Sequence, residues 1–411
     1  NGKQPDLVEY LKAEVYRKLP DNMQVFLLST GILESFNASA CNELLGISDA
    51  QSMIDVLLRQ GMFVSAIDDR QGWYRYHSLL SDFLRHRLKE TQSEKQVREK
   101  HELAGAIFSR NKDFENALYH FKKAQVKGIH SGIYNACEYW LKQGEFSKII
   151  IQLDELSSSE FTANIKLLLI YIHALIFYRR FNQAKYYLEL LPQESTLQLD
   201  EECTKNVDFL KLCLGLFQKE TQALARFSYQ ELMAFDNNDG LRMFAGVFAA
   251  YYELQKGHID NALRIAANTK IRLSNLDYVL AESYVDLIIA LCERHVGRGV
   301  EAVSYISQIN SKNNFIKGSL AWVNLKTAMV IVHYEQNQLS KAKQWCETLL
   351  PLINHSCVTE VISTIYLSLS RLLFIEGDRK KASRVLLQFE RLLIFGYYQR
   401  FASQCVQESM R

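Results

Sequence analysis

A chain of 411 residues, 48% of them hydrophobic, is long enough for several cores and too apolar to be a disordered segment. Its net charge of +2 sets up no global field that would draw nucleic acid or a membrane surface. The 8 cysteines include no CxxC pair, which excludes the common zinc spacings and a disulfide scaffold, so a reduced, cytoplasmic protein is expected. The densest apolar run, Ile165–Tyr178, is too short to span a bilayer and is interrupted by Lys166 and His173. With 4 prolines and 18 glycines, the chain reads as mostly helical with short connections.

The first stretch, Asn1–Lys18, lacks an initiating Met and carries an amphipathic helix over Leu7–Leu19, so a piece of a longer protein is expected. Leu19-Pro20-Asp21 opens a helix through Phe26–Ser29. Asn37, Ser39 and Asp49 are N-cap candidates for helices near Ala40–Leu45 and Ala50–Gln60. The period then changes to that of strands. Met62–Ile67 and Trp73–Tyr76 flank the turn chemistry of Asp68–Gly72 and read as a β-hairpin, followed by a helix over His77–Lys89. Helices closed by a hairpin make a winged helix, assigned to residues 1–95. Direct DNA contact by it is disfavoured, because acidic residues outnumber basic ones over that range (13 against 11) and the reading helix Ala50–Gln60 carries only Arg59 as a cation.

From Glu94 onward one phrase recurs: a helix end, a short turn, and a small or apolar residue entering the next helix. That residue is Ala117, Ile149, Ala184, Ala223, Ala262, Ala302, Ala342 and Ala382, at spacings of 32, 35, 39, 39, 40, 40 and 40. Such a period marks a stack of helical hairpins, each completing its core on its neighbours. In the fifth unit Gly257 reads as the helix stop and Asp260 as the next N-cap. In the fourth, the two helices are expected at Cys203–Gln218 and Thr221–Ala234. The fold class is therefore mainly α, a tetratricopeptide-like superhelix of about eight hairpins over 96–411, preceded by the winged helix.

No catalytic constellation, phosphate loop or metal-ligand spacing occurs, so the stretch is read as having no enzyme activity and no cofactor of its own. Recognition is sought instead on the first helices, which line the inner face of such stacks. Tyr284 and Asn324 lie 18 residues before their hinge alanines, and Tyr251 and Arg371 lie 11 before theirs. Those offsets differ by two helical turns and share a face. Glu282 and Trp322 sit two residues earlier in matching places. A polar–aromatic mixture of this kind suits a weakly charged small ligand; a solvated inner face with no ligand is the plain alternative. A further ladder, Asp286, Lys326 and Tyr366, has the same forty-residue register and suits an inter-repeat salt bridge and hydrogen bond.

The segment FLLSTGILESFNASACNELLG, with LLRQGMFVSAIDDRQGWYRYHSLLSDFLRHRL after it, resembles the winged helix of the large LuxR-type, MalT-like, ATP-dependent transcription activators. The most specific piece is Trp73-Tyr74-Arg75-Tyr76-His77 followed by Leu79-Leu80 and Phe83-Leu84. Phe26–Leu33 matches the family's FLLRTSVL phrase, with Gly31 where Ser is usual. The resemblance implies an order of nucleotide module, winged helix, superhelical inducer sensor and C-terminal helix-turn-helix. It also implies that His77 is a sensor of nucleotide state; capping the helix that starts at Ser78 is the simpler role. GxxxxGK[ST] is absent, Gly2-Lys3 being the one Gly-Lys pair, and one long helix follows Ala382. The stretch is thus expected to be the middle of such a regulator. ATP or ADP would bind elsewhere in the full-length protein, DNA would bind only through the absent helix-turn-helix, and self-association would belong to the whole. The partner is a small-molecule inducer or a regulatory protein, with no membrane involved. The alternative is a scaffold whose groove takes a peptide or partner protein.

Overall fold

The computed structural model describes residues 16–61, 63–67, 72–126, 129–156, 164–191, 201–224, 244–274, 276–297, 304–306, 308, 317–353 and 357–395. The described residues are helical apart from connections and one two-stranded antiparallel hairpin. The chain divides into two compact units, Asn1–Ala136 and Cys137–Arg411.

The first unit opens with three helices, α1 (Asp21–Thr30), α2 (Ala38–Leu45) and α3 (Ala50–Arg59). Asn37 caps α2 by accepting from the Ala40 N–H at 2.8 Å. Asp49 precedes α3 without a side-chain cap; instead Asn42 accepts from the Ala50 N–H at 3.0 Å, tying α3 to α2. Strands β1 (Val64–Ala66) and β2 (Tyr74–Tyr76) pair Val64 with Tyr76 and Ala66 with Tyr74. Phe36 adds a short bridge to Tyr74 on the other edge of β2. Helix α4 (Ser78–Thr91) follows. Phe26, Phe36, Ile54, Leu57 and Leu84 are almost wholly buried in one core. Tyr76 joins it, stacking on Phe36 at 4.4 Å while its hydroxyl meets that of Thr30 at 2.6 Å. This is the expected winged helix. The expected turn at 68–72 and the helix over Leu7–Leu19 fall mostly outside the described residues, although Tyr16–Lys18 forms a single 3₁₀ turn.

The first helical hairpin, α5 (Glu94–Arg110) and α6 (Phe114–Ala124), shares that core through Ala104, Ile107, Phe108 and Ala117, and Trp73 stacks on Phe108. Compactness therefore continues past residue 95, where the hydrophobic period changes, and the unit boundary falls inside α7 (Ile129–Gln143).

The second unit continues with α8 (Phe146–Leu153), α9 (Ile165–Phe177), α10 (Phe181–Leu190), α11 (Glu201–Leu224), α12 (Phe244–Gln255), α13 (Ile259–Leu273), α14 (Val279–Val296), α15 (Leu320–Glu335), α16 (Leu339–Leu349), α17 (Thr359–Ile375) and α18 (Arg379–Phe395). The first helices of the hairpins are the buried ones. Every residue of α9 from Leu167 to Phe177 is buried, as is every residue of α15 from Leu320 to Ala328. A helix apolar on all sides has to be enclosed by others.

One turn repeats. Lys112, Gly144, Arg179, Gly257, Gly297, Asn337 and Gly377 all have left-handed backbone, and each lies five residues before a hinge position. Where the following residue is described, its N–H reaches back five positions: Asp113 to Phe108, Glu145 to Trp140, Arg180 to Leu175, His258 to Glu253, Gln338 to His333 and Asp378 to Leu373, all at 2.8–3.0 Å. This is the Schellman stop, which satisfies carbonyls that the helix end would otherwise orphan. The next helix starts at once, because the residue after the left-handed one already stands at its N-cap. Hence His258 rather than Asp260 is the N-cap of α13, and Asp260 falls in its first turn. The hinge residues Ala117, Ile149, Ala184, Ala262, Ala342 and Ala382 are buried; Ala302 lies outside the described residues.

The fourth hairpin departs from expectation. Helix α11 runs unbroken from Glu201 to Leu224, through the stop expected between Gln218 and Thr221. Most residues of the phrase Gln218-Lys219-Glu220-Thr221-Gln222-Ala223 favour helix. The remainder of the expected second helix lies outside the described residues.

Candidate functional site

Four first helices of the second unit contribute to one buried polar–aromatic cluster. Tyr251 of α12 donates its hydroxyl hydrogen bond to Glu360 of α17, and Gln255 Nε2 reaches the same carboxylate at 3.5 Å. Asn324 of α15 donates from Nδ2 to Ser283 Oγ of α14 at 3.0 Å. Tyr284, next along α14, sets its ring edge-on to Phe244 of α12 at 6.2 Å. Burial pushes the Tyr284 phenol up, and an Asn324 hydrogen bond and the Arg179 guanidinium oppose this. Glu360 is 8% exposed, Tyr284 6% and Asn324 0%, so these three are shielded from solvent, while Tyr251 is half-buried and Gln255 exposed. Within the cluster Asn324 Oδ1 has no hydrogen-bond partner. A buried carbonyl left unpaired is costly, and a donor from a bound molecule would satisfy it.

Aromatic packing continues from this cluster. Phe244 meets His173 at 5.7 Å, and His173 stacks on Phe177 at 4.5 Å and on Phe146 at 6.3 Å. His173 is fully buried, neither ring nitrogen has a partner, and burial alone lowers its pKa to about 3. It is a neutral core imidazole.

The six residues expected to share a ligand-facing surface divide between two faces. Tyr251, Tyr284 and Asn324 contact other first helices. Glu282 and Trp322 interact with second helices instead. Two residues of helix turn the side chain about 200°, and both point toward the second helices: Trp322 lies edge-on to Trp345 of α16, and Glu282 lies in the field of Lys270 of α13. Arg371 is partly buried on α17. Glu360, Gln255 and Ser283 were not legible as members, because the contact joining Tyr251 to Glu360 spans 109 residues and no repeat period marks it.

The other ladder points at the second helices too. Asp286 is paired with Lys270, not with Lys326. Lys326 instead lies over the Trp345 ring at 4.8 Å and that of Trp322 at 5.8 Å. Tyr366 stacks on Phe389 of α18 and helps line a shallow cleft of about 480 Å³ with Leu350, Pro351 and Arg391. One register position thus carries a salt bridge, a cation–π sandwich and an aromatic stack in successive repeats.

In the first unit His77 is the N-cap of α4, its Nδ1 accepting from the Leu79 N–H at 3.4 Å, and its ring is exposed. A second histidine site was not foreseen. His101 of α5 and His120 of α6 meet Nδ1 to Nδ1 at 2.8 Å, and His120 stacks flat on Phe108. Burial, with Lys123 and Arg85 adding, lowers His101 to about 4; burial, with His101 and Arg85 adding, lowers His120 to about 3. Among the described residues there is no group of three or more His, Cys, Asp or Glu placed to hold a metal, and no helix long and apolar enough to cross a membrane.

A winged helix running into a stack of helical hairpins, with a polar cluster on the first helices, defines a winged-helix, helical-repeat module. Residues 12–96 match the MalT winged helix domain. The chain is MalT-like over most of its length: it is 23% identical over 397 residues to the HTH-type transcriptional regulator MalT of Vibrio cholerae, covering 94% of this chain and 44% of that protein. It is 24% identical over 230 residues to the MalT of Klebsiella pneumoniae, covering 55% and 25%. The chain spans less than half the length of these relatives. A signal transduction ATPase with numerous domains and a tetratricopeptide repeat sensor, from Pyrococcus horikoshii, aligns over 96% of this chain and 67% of its own, at 13% identity and a TM-score of 0.38. At that score the two backbones do not support residue-by-residue comparison.

Proposed function

We propose that this stretch is the inducer-sensing, regulatory part of a MalT-like transcription activator. A small-molecule inducer engages the inner cluster of Tyr251, Tyr284, Asn324 and Glu360, and favours an open form that self-associates. The observation that carries the reading is the similarity to MalT across 94% of the chain, winged helix and repeats together. The unpaired Asn324 Oδ1 supports the location. ATP or ADP binds in a nucleotide module outside this stretch, and the winged helix couples sensor to module; the exposed His77 ring is free to meet that module while its Nδ1 caps α4. The stretch itself performs no chemistry and acts in the cytoplasm. Because Tyr284, Asn324 and Glu360 are buried, a ligand reaches them by parting the first helices, so it shifts a population by binding the parted state more tightly.

The test is thermal-shift screening of this chain against a metabolite collection, with titration calorimetry on each hit. A saturable ligand that raises the melting temperature, and loses at least tenfold in affinity in Asn324→Leu, is expected. A ligand whose affinity is unchanged in Asn324→Leu and Tyr284→Phe contradicts the location. Capture of a peptide or protein by the free chain, with no small-molecule hit, favours the scaffold reading.

A further inference from the structure

The face of α14 turned away from Tyr284 carries Glu282 and Asp286 one helical turn apart, so their carboxyl groups are neighbours. Asp286 is fully buried. Its Oδ1 accepts from Lys270 Nζ of α13 at 2.5 Å and from the Tyr305 hydroxyl at 2.7 Å, and Lys270 also donates to the Tyr305 oxygen at 2.7 Å. Its Oδ2 is buried with no partner. Glu282 is partly buried, and among the described residues it makes no hydrogen bond or ion pair. Two carboxyl groups one helical turn apart therefore share this face, one with an unsatisfied buried oxygen and the other with no hydrogen-bond or ion-pair partner among the described residues.

The surrounding charge does not resolve this. Asp277, just before α14, adds a third carboxylate near Glu282, and among the described residues Lys270 is the one cation acting on the pair. Tyr305, from the helical segment 304–306, already spends its proton on Asp286 Oδ1. None of the charged groups acting on Glu282 or Asp286 comes from α12 or α15, which pack on other sides of α14. The group that is missing is a donor for Asp286 Oδ2.

We infer that Glu282 is a proton-binding residue whose protonated carboxyl donates to Asp286 Oδ2, making the joint between the fifth and sixth hairpins a proton-controlled latch. Proton uptake closes it: one carboxyl–carboxylate hydrogen bond forms, and the buried oxygen is satisfied. Proton loss opens it, leaving two adjacent carboxylates against one ammonium. The titration falls in the useful range, because burial, then Asp286, raises the Glu282 carboxyl to about 7 while Lys270 opposes. The sign follows from that direction. The folded value lies above the unfolded one, so the stability is fully present below about pH 4.5 and is lost as pH rises through about 7. The same helix presents Ser283 and Tyr284 to the inner cluster on its other face, so the latch acts on the element that would carry a ligand signal. It does not depend on the inducer reading.

The test is hydrogen exchange by mass spectrometry on the intact chain between pH 6 and 8.5, corrected for intrinsic exchange. The α13–α14 peptides are expected to open about tenfold more at pH 8 than at pH 6, as loss of one proton requires, with α17–α18 unchanged. In Glu282→Gln the amide donates at every pH, and the slope disappears. A Glu282→Gln variant that keeps the wild-type slope overturns the inference. If that variant does not fold, the wild-type chain alone decides, since a flat α13–α14 profile overturns it equally.

Discussion

In the first unit, a partly buried histidine pair sits beside cations; in the second, a partly buried carboxyl pair sits beside a further carboxylate and a lysine. His101 and His120 feel Lys123, Arg85 and each other, and both are held neutral. Glu282 feels Asp286, the cation Lys270 and Asp277, and burial with these raises its carboxyl to about 7. Burial disfavours charge in both places, yet it pushes the two kinds of group toward opposite ends of the pH scale. The two compact units should therefore fail under opposite conditions, acid for the winged-helix unit and mild alkali for the hairpin joint. The units also differ in construction. The first has one irregular core built around Phe36 and Tyr76; the second repeats one turn and one hinge.

The largest expected effect separates the two units. Phe36 is fully buried, packs on Tyr74 and Tyr76, and anchors the bridge to β2. Phe36→Ala should cost ~3–5 kcal/mol. Denaturant unfolding followed by hydrogen exchange should show the peptides of α1–α4 exposed early while α12–α18 keep their protection. Simultaneous loss in both would mean that they unfold as one. A smaller effect tests the histidine pair. Its folded pKa values lie below the unfolded 6.5, so between about pH 6.5 and 4 the unfolded chain holds more protons, and the first unit weakens as pH falls. The unfolding constant should rise by up to roughly tenfold per pH unit for each proton taken up, and His120→Phe should flatten that slope. An unchanged slope in the variant would place the acid sensitivity elsewhere. The smallest effect tests the repeated turn. Gly257 has φ of 79°, and Gly257→Ala should lose ~1 kcal/mol of stability. Asn337, in the equivalent left-handed position, should gain a few tenths of a kcal/mol on Asn337→Gly. Equal and opposite shifts in melting temperature are not expected, because Asn tolerates that conformation better than Ala.

Much of this architecture was legible in the residues, for identifiable reasons. The hinge positions are small because two helices touch there, and that requirement returns every forty residues. The winged helix was legible because the apolar period switches from that of a helix to that of a strand at Met62 and back at His77. The Asn37 cap and the His77 cap followed from local chemistry alone. What was not legible depends on distant partners or on a missing signal. Helix α11 passes through its expected turn although Lys112 and Arg179 take left-handed backbone at the equivalent position elsewhere, so the absence of Gly or Asn does not by itself account for it. Glu282 and Trp322 were grouped with Tyr284 and Asn324 by periodicity, but a shift of two residues turns a side chain to the other face, and the repeat period is blind to that. The pairing of Asp286 with Lys270 joins a first helix to the preceding second helix, a contact that the forty-residue register does not mark. The histidine pair brings together residues 19 apart on two helices of unequal length.

The central claim is that a ligand engages the buried polar cluster on the first helices of the second unit. Hydrogen exchange of the chain, with and without a saturating concentration of the best calorimetric hit, tests it most directly. The account predicts added protection concentrated in α12, α14, α15 and α17, absent in Asn324→Leu. Protection confined to the second helices α13, α16 and α18, or to the winged-helix unit, would contradict it.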